Sequence, residues 1–138
     1  MKRGLKTLVV DDDDMIVETV EVMLNIQGIN DVTKAGNGLL GLTCFEEALK
    51  AGTPFSLVFL DIVMPEMDGQ AALKRMRSLE MEAGISGDDR SVIIMTTSLG
   101  SPEDMIEALI GGDCTDYMVK PLDGGNLHGM LAKYGFVA

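Results

Sequence analysis

Leu57-Val58-Phe59-Leu60-Asp61 decides how the rest of the chain is read. Four consecutive apolar residues suit a strand buried on both faces, and the run stops on a carboxylate. Three other short runs share the plan. Leu8-Val9-Val10 is followed by Asp11, Asp12, Asp13 and Asp14; Val92-Ile93-Ile94-Met95 leads through Thr96 to Thr97; Tyr117-Met118-Val119 leads to Lys120 and Pro121. A fifth run, Asp31 to Ala35, is more polar and suits an edge strand.

The stretches between these runs have helical period. Ile16, Val20, Met23 and Leu24 line one face of the first, Leu42, Phe45 and Leu49 the second, Ala72, Met76 and Leu79 the third, and Met105, Ile106, Leu109 and Ile110 the fourth. Ser101, Pro102, Glu103 and Asp104 make a start signal for the fourth, and Gly111-Gly112 ends it. A last helix over 123–133 carries Gly124, Gly125 and Gly129, each weakening it by about 1 kcal/mol relative to Ala. Residues 80–90, with two glycines and several acids, are read as a long loop. Strands alternating with helices predict an α/β fold: a doubly wound, five-stranded parallel sheet in the order 2-1-3-4-5, flavodoxin-like, with helices on both faces. One domain over 1–138 is expected.

The net charge is −11 and the pI about 4.3. Such a surface repels nucleic acid and acidic membranes, so no direct contact with either is expected. Cys44 and Cys114 form no CxxC pair and His128 is the one histidine, which leaves no ordinary zinc ligand set. The opening Met-Lys-Arg-Gly-Leu-Lys lacks a following apolar stretch, and no run approaches membrane-spanning length. A cytoplasmic protein is expected, with both cysteines as small buried residues.

In a doubly wound sheet the residues that follow the strands crowd the carboxyl edge. Several carboxylates, one or two hydroxyls and one ammonium converge there. Clustered carboxylates repel, and one stays protonated unless a cation intervenes. An all-oxygen, carboxylate-rich pocket suits Mg²⁺ better than zinc or copper. Mg²⁺ works where phosphate oxygens complete its shell, and a carboxylate can itself attack phosphorus to give an aspartyl phosphate. Positioning and charge neutralisation are the main needs of phosphoryl transfer.

Four segments resemble a known family along nearly the whole chain: Leu-Val-Val-Asp-Asp at 8–12, Phe-Leu-Asp-Ile-Val-Met-Pro-Glu-Met-Asp-Gly at 59–69, Ile-Ile-Met-Thr-Thr-Ser at 93–98, and Asp-Tyr-Met-Val-Lys-Pro at 116–121. The chain resembles the receiver domain of two-component response regulators, including the stand-alone chemotaxis type. The resemblance implies that Asp61 is the phosphoacceptor, that Asp12 ligates Mg²⁺ directly and Asp11 through water, and that Asp61 and the backbone carbonyl of Val63 complete the protein ligands. It implies that Thr97 hydrogen-bonds the phosphoryl group, that Lys120 pairs with it, and that Tyr117 switches rotamer when Thr97 moves. A cis Lys120-Pro121 bond is implied too. The donor would be a histidine kinase or a histidine phosphotransfer protein. A downstream target would bind the face made by the fourth helical segment, the fifth strand and the last helix. Such a domain is a switch that catalyses only its own phosphorylation and dephosphorylation, not a turnover enzyme. It is either a single-domain regulator or a piece of a longer chain.

Several features admit other readings. Asp13 or Asp14 is expected to cap the first helix, with Asp13 as an extra water-mediated contact the lesser alternative. Gly36-Asn37-Gly38-Leu39-Leu40-Gly41 spells GxGxxG with Asp61 further on, a dinucleotide-binding pattern. The preceding strand is too polar for the centre of such a fold, so the glycines are assigned to a turn and a close helix start. A receiver-like binding module that never takes phosphate is a further alternative. Met64 and Met67 are expected to be partly exposed beside the site, and His128 to be a surface helix residue. Val63 and Leu99 stand where relatives often carry polar side chains, which predicts slow self-dephosphorylation. Ser98, often Ala in relatives, either adds a hydrogen bond to the phosphoryl group or crowds it.

Overall fold

The computed structural model describes residues 5–64, 66–97 and 113–137. The elements are β1 (Lys6–Val10), α1 (Asp14–Ile26), β2 (Asp31–Ala35), α2 (Gly38–Lys50), β3 (Leu57–Asp61), α3 (Gly69–Glu82), a 3₁₀ turn (Gly87–Asp89), β4 (Val92–Thr97), β5 (Asp116–Val119) and α4 (Gly124–Lys133). The strands form one parallel sheet in the order β2-β1-β3-β4-β5, as the pattern predicts. The fourth helical segment read from the sequence, with Ser98 and Leu99 before it, lies outside the described residues.

Strand alternation divides the core into two layers. Leu8, Val10, Val58, Leu60, Ile93 and Met95 face α2 and α3. Val9, Leu57, Phe59, Val92, Ile94 and Met118 face α1 and α4. With all five residues of β3 buried, the deciding run lies at the centre of the sheet. β2 lies at one edge, where only Ala35 of its five residues is buried, which explains its polarity.

Each α-helix among the described residues begins with a side-chain cap. Asp13 accepts from Met15 N and Ile16 N at 3.0 and 3.4 Å, Asn37 from Leu40 N at 2.8 Å, Asp68 from Ala71 N at 2.9 Å, and Asp123 from Asn126 N at 2.7 Å. Each such cap stabilises its helix by roughly 1 kcal/mol. Asp13, not Asp14, caps α1. α4 has three glycines in its sequence, and Leu127 and Leu131, fully buried, are what anchor it.

Two sequence readings need correction here. The stretch 80–90 is not all loop, because α3 continues to Glu82 and Gly87–Asp89 form a 3₁₀ turn. Glu80 is only 1% exposed because Arg77, one turn earlier, neutralises it at 2.6 Å. On α1 the inward position is Val17, while Ile16 and Met23 are half-buried. Among the described residues, no helix is long and apolar enough to cross a membrane.

Candidate functional site at the carboxyl edge

The parallel register brings the site together. Val10 pairs with Leu60, so Asp11 and Asp61, one residue on, emerge side by side. Asp61 is itself level with Thr96 on β4. Main-chain bonds carry the ladder past the strand ends: Asp11 N donates to Ala35 O at 3.1 Å, Ile62 N to Thr96 O at 2.9 Å, and Lys120 N to Thr97 O at 2.7 Å. Four segments far apart in sequence therefore end on one rim.

Asp11 is 2% exposed and Asp61 4%, whereas Asp12 is open to solvent. One carboxylate oxygen from each of Asp11, Asp12 and Asp61 lies within 4.8 Å of the other two. Lys120 Nζ donates to Asp11 Oδ2 at 2.7 Å and lies 3.3 Å from Asp61 Oδ1. Two further contacts are local: Asp13 N donates to Asp11 Oδ1 at 3.0 Å and Val63 N to Asp61 Oδ1 at 3.4 Å.

One ammonium does not balance this charge. Burial first, then the adjacent Asp11, push the Asp61 carboxyl from 3.8 up to about 6, against the opposing pull of Lys120 and the Val63 N–H. On Lys120 burial acts downward, but the Asp11 hydrogen bond and the charges of Asp61 and Asp11 outweigh it and raise the ammonium pKa. The rim holds more negative charge than it can comfortably ionise, and its donors are all oxygen. Both properties fit a small hard divalent cation.

Thr97 ends β4, 1% exposed, two residues beyond the level of Leu60. Tyr117 on β5 is half-buried and packs against the α2–α3 side of the core. The Lys120-Pro121 bond is cis. Met64, expected to be partly exposed, is buried in that same core, and Met67 is half-buried against it. His128 is exposed on α4, its Nδ1 2.7 Å from Gln27 Oε1 just past the end of α1. Cys114 is buried and Cys44 half-buried.

The GxGxxG stretch follows an edge strand, and its second and third glycines, Gly38 and Gly41, touch protein rather than leaving a phosphate cradle, while a Cβ on Gly36 would meet nothing within 4 Å. A Cβ on Gly38 would fall 2.5 Å from the Met67 carbonyl oxygen, and one on Gly41 2.7 Å from a Val10 methyl.

Sequence reading missed the Arg77–Glu80 pair at the opposite edge of the sheet. Arg77 donates to Glu80 at 2.6 Å, to Ser91 O at 3.0 Å, to Asp113 O at 2.8 Å and to Thr115 Oγ1 at 3.3 Å. Glu80 in turn accepts from Ser91 N at 2.7 Å. The only sequence signal is the (i, i+3) spacing of opposite charges.

A doubly wound sheet with this acidic rim and lysine defines a receiver. The response regulator receiver domain model matches residues 7–132, and the chain belongs to that family, the receivers of two-component response regulators. It is 32% identical over 93% of its length to the DNA-binding dual master transcriptional regulator RpaA of Synechocystis, covering 46% of that protein. It is 35% identical over 86% of its length to the transcriptional regulatory protein AruR of Pseudomonas aeruginosa, covering 44% of it. The chain thus spans less than half the length of these relatives. Among solved structures, the Arabidopsis thaliana histidine kinase CKI1 receiver domain complexed with Mg²⁺ superimposes with a TM-score of 0.83 at 26% identity, covering 95% of this chain and 92% of that one.

Proposed function

We propose that this domain is a phosphorylation-operated switch whose acceptor is Asp61. The observation that carries this reading is the Lys120 ammonium, placed between Asp11 and Asp61 at 2.7 and 3.3 Å beside a three-carboxylate cluster. Asp12, Asp61 and the Val63 carbonyl would hold Mg²⁺ directly, and Asp11 through water. When bound, the ion neutralises the carboxylates and the phosphoryl oxygens that meet there.

An Asp61 carboxylate oxygen attacks the phosphorus of a phosphohistidine. The new O–P bond forms as the N–P bond breaks, and the electron pair leaves with the imidazole nitrogen. Lys120 orients the acceptor before transfer and pairs with the phosphoryl oxygens after it. Thr97 hydrogen-bonds the phosphoryl group, and Tyr117 follows Thr97 to another rotamer. The donor is a sensor histidine kinase or a histidine phosphotransfer protein, in the cytoplasm. The output face includes β5 and α4, and its affinity for a target protein changes with the added charge. The domain turns over no substrate other than its own phosphoryl group.

Intact-mass measurement after incubation with acetyl phosphate and Mg²⁺ tests the proposal. One added phosphoryl group is expected, absent without the metal and absent in Asp61→Asn. An unmodified wild-type mass would instead make the domain a receiver-like module that binds without accepting phosphate.

A further inference from the structure

Gly38 and Gly41 of the GxGxxG stretch have no part in the reading above, yet they touch the β3–α3 loop and the end of β1, on which it depends. α2 enters the fold beside the rim, capped by Asn37. Its first turn is buried at Gly38 and Gly41. Gly38 lies against the loop between β3 and α3, which carries Val63. A Cβ there would stand 2.5 Å from Met67 O, 3.3 Å from Met67 Cβ and 3.4 Å from Met67 C. Backbone cannot yield as a flexible side-chain tip can, so the loop or the helix would have to move. Gly41 lies against Val10, the residue before Asp11, and a Cβ there would stand 2.7 and 2.9 Å from its two γ-methyls. The far side of the same loop is fixed as well: Gly69 N donates to Ile62 O at 2.8 Å.

We infer that Gly38 and Gly41 are positioning residues of the divalent-cation site: the bare first turn of α2 sets how far the Val63 loop stands from the Asp11–Asp12 arm. The inference rests on the proposed Mg²⁺ site. Mg²⁺ demands near-ideal octahedral geometry at short bond lengths, whereas Ca²⁺ accepts longer and more irregular ones. A wedge that spreads the two arms should therefore reduce Mg²⁺ binding more than Ca²⁺ binding. Simple loss of stability in a still-folded protein should not change that ratio.

The test is calorimetric titration of the full chain with Mg²⁺ and, separately, with Ca²⁺. The proteins are wild type, Gly38→Ala, Gly41→Ala, the pair Gly41→Ala/Val10→Ala, and Gly129→Ala, where a Cβ meets nothing within 4 Å. Gly38→Ala is expected to weaken Mg²⁺ binding at least five-fold and Ca²⁺ binding less. Gly41→Ala should do the same more mildly. Val10→Ala should restore it by removing the methyls that the new Cβ meets. Gly129→Ala should match wild type. If Gly38→Ala does not fold, the Gly41/Val10 pair decides. Wild-type Mg²⁺ affinity and selectivity in Gly38→Ala, or no rescue in the Gly41/Val10 pair, would overturn the inference. Absence of Mg²⁺ binding by wild type, or binding unchanged in Asp12→Asn, would instead remove the underlying site.

Discussion

Lys120 Nζ lies 2.7 Å from Asp11 Oδ2, although 109 residues separate the two in sequence. The contact joins the ends of β1 and β5, strands that do not pair with each other, across β3 and β4. It also presents the ammonium to Asp61 at 3.3 Å. Lys120 therefore holds a charge cluster together before any ligand arrives.

Removing that ammonium should leave three carboxylates facing one another. Deleting one partner of a buried ion pair typically destabilises by 3–5 kcal/mol, and this rim is open on one side. Lys120→Met is expected to lower the urea-unfolding stability of the metal-free protein at pH 7.5 by about 1–3 kcal/mol. Saturating Mg²⁺ should recover much of the loss, because the cation takes over the neutralisation. Equal destabilisation with and without Mg²⁺ would contradict this account.

The strain on Asp61 predicts a stabilising substitution. A carboxyl whose pKa rises on folding, here from 3.8 to about 6, binds its proton more tightly in the folded chain. Stability from this group therefore falls as pH climbs from about 4 through about 6, and the ionised form opposes folding above that range. Asp61→Asn should stabilise the metal-free protein at pH 7.5 by about 1–2 kcal/mol, discounted for water reaching the rim. The gain should vanish near pH 4, where wild-type Asp61 is itself mostly protonated. Urea unfolding of both proteins across that range measures it, and a gain independent of pH would point to another cause.

Which parts of this were legible beforehand follows from where the determining contacts lie. The strands announced themselves because the central residues of β1, β3 and β4 are buried on both faces and are apolar in unbroken runs. The rim was legible because parallel strands deliver whatever follows them to one edge, so Asp11, Asp12, Asp61, Thr97 and Lys120 needed only their order to be placed. Met64 was misjudged because sequence proximity to Asp61 says nothing about which way a loop residue turns, and it turns into the α2–α3 core. Glu80, read as the start of a loop, lies inside α3, and its burial was not legible at all. Its burial depends on Arg77 and on Ser91 N, a non-local partner that no periodicity encodes.

That Arg77–Glu80 unit makes the third prediction. Arg77 ties α3 to the entrances of β4 and β5 through Ser91 O, Asp113 O and Thr115 Oγ1, and Thr115 Oγ1 also accepts from Ile93 N at 3.0 Å. Arg77→Met should leave Glu80 buried without its cation and destabilise by about 3–5 kcal/mol. Arg77→Met/Glu80→Met should be less destabilising than the sum of the single substitutions, because neither buried charge is then left alone. A strictly additive double variant in urea unfolding would show that the two residues act separately.

The two thiols should differ in reactivity. Burial pushes the Cys114 thiol up to about 11 against the opposing charge of Arg77, with Asp116 and Asp113 adding to the rise, and its side chain is nearly sealed. Cys44 is half-exposed, its pKa raised by burial and by Glu47. Alkylation of the native protein at pH 8 should modify Cys44 at least about ten-fold faster, because Cys114 needs both an opening of the core and a stronger base. Peptide mapping after a short iodoacetamide pulse reads the ratio, and preferential labelling of Cys114 would mean that β5 opens more readily than its packing suggests.

The last prediction concerns how long the switch stays on. Hydrolysis of an aspartyl phosphate requires a water in line behind phosphorus, and a polar side chain beside the acceptor can orient it. Val63, two residues beyond Asp61, is 61% exposed and has no side-chain donor or acceptor to offer such a water. The phosphorylated domain is therefore expected to persist for minutes or longer after removal of the donor, read as loss of the added mass with time. Val63→Asn, which supplies both a donor and an acceptor at the same place, should shorten that lifetime several-fold. A lifetime of seconds in the wild type, or no acceleration in Val63→Asn, would mean that water is positioned from elsewhere on the rim.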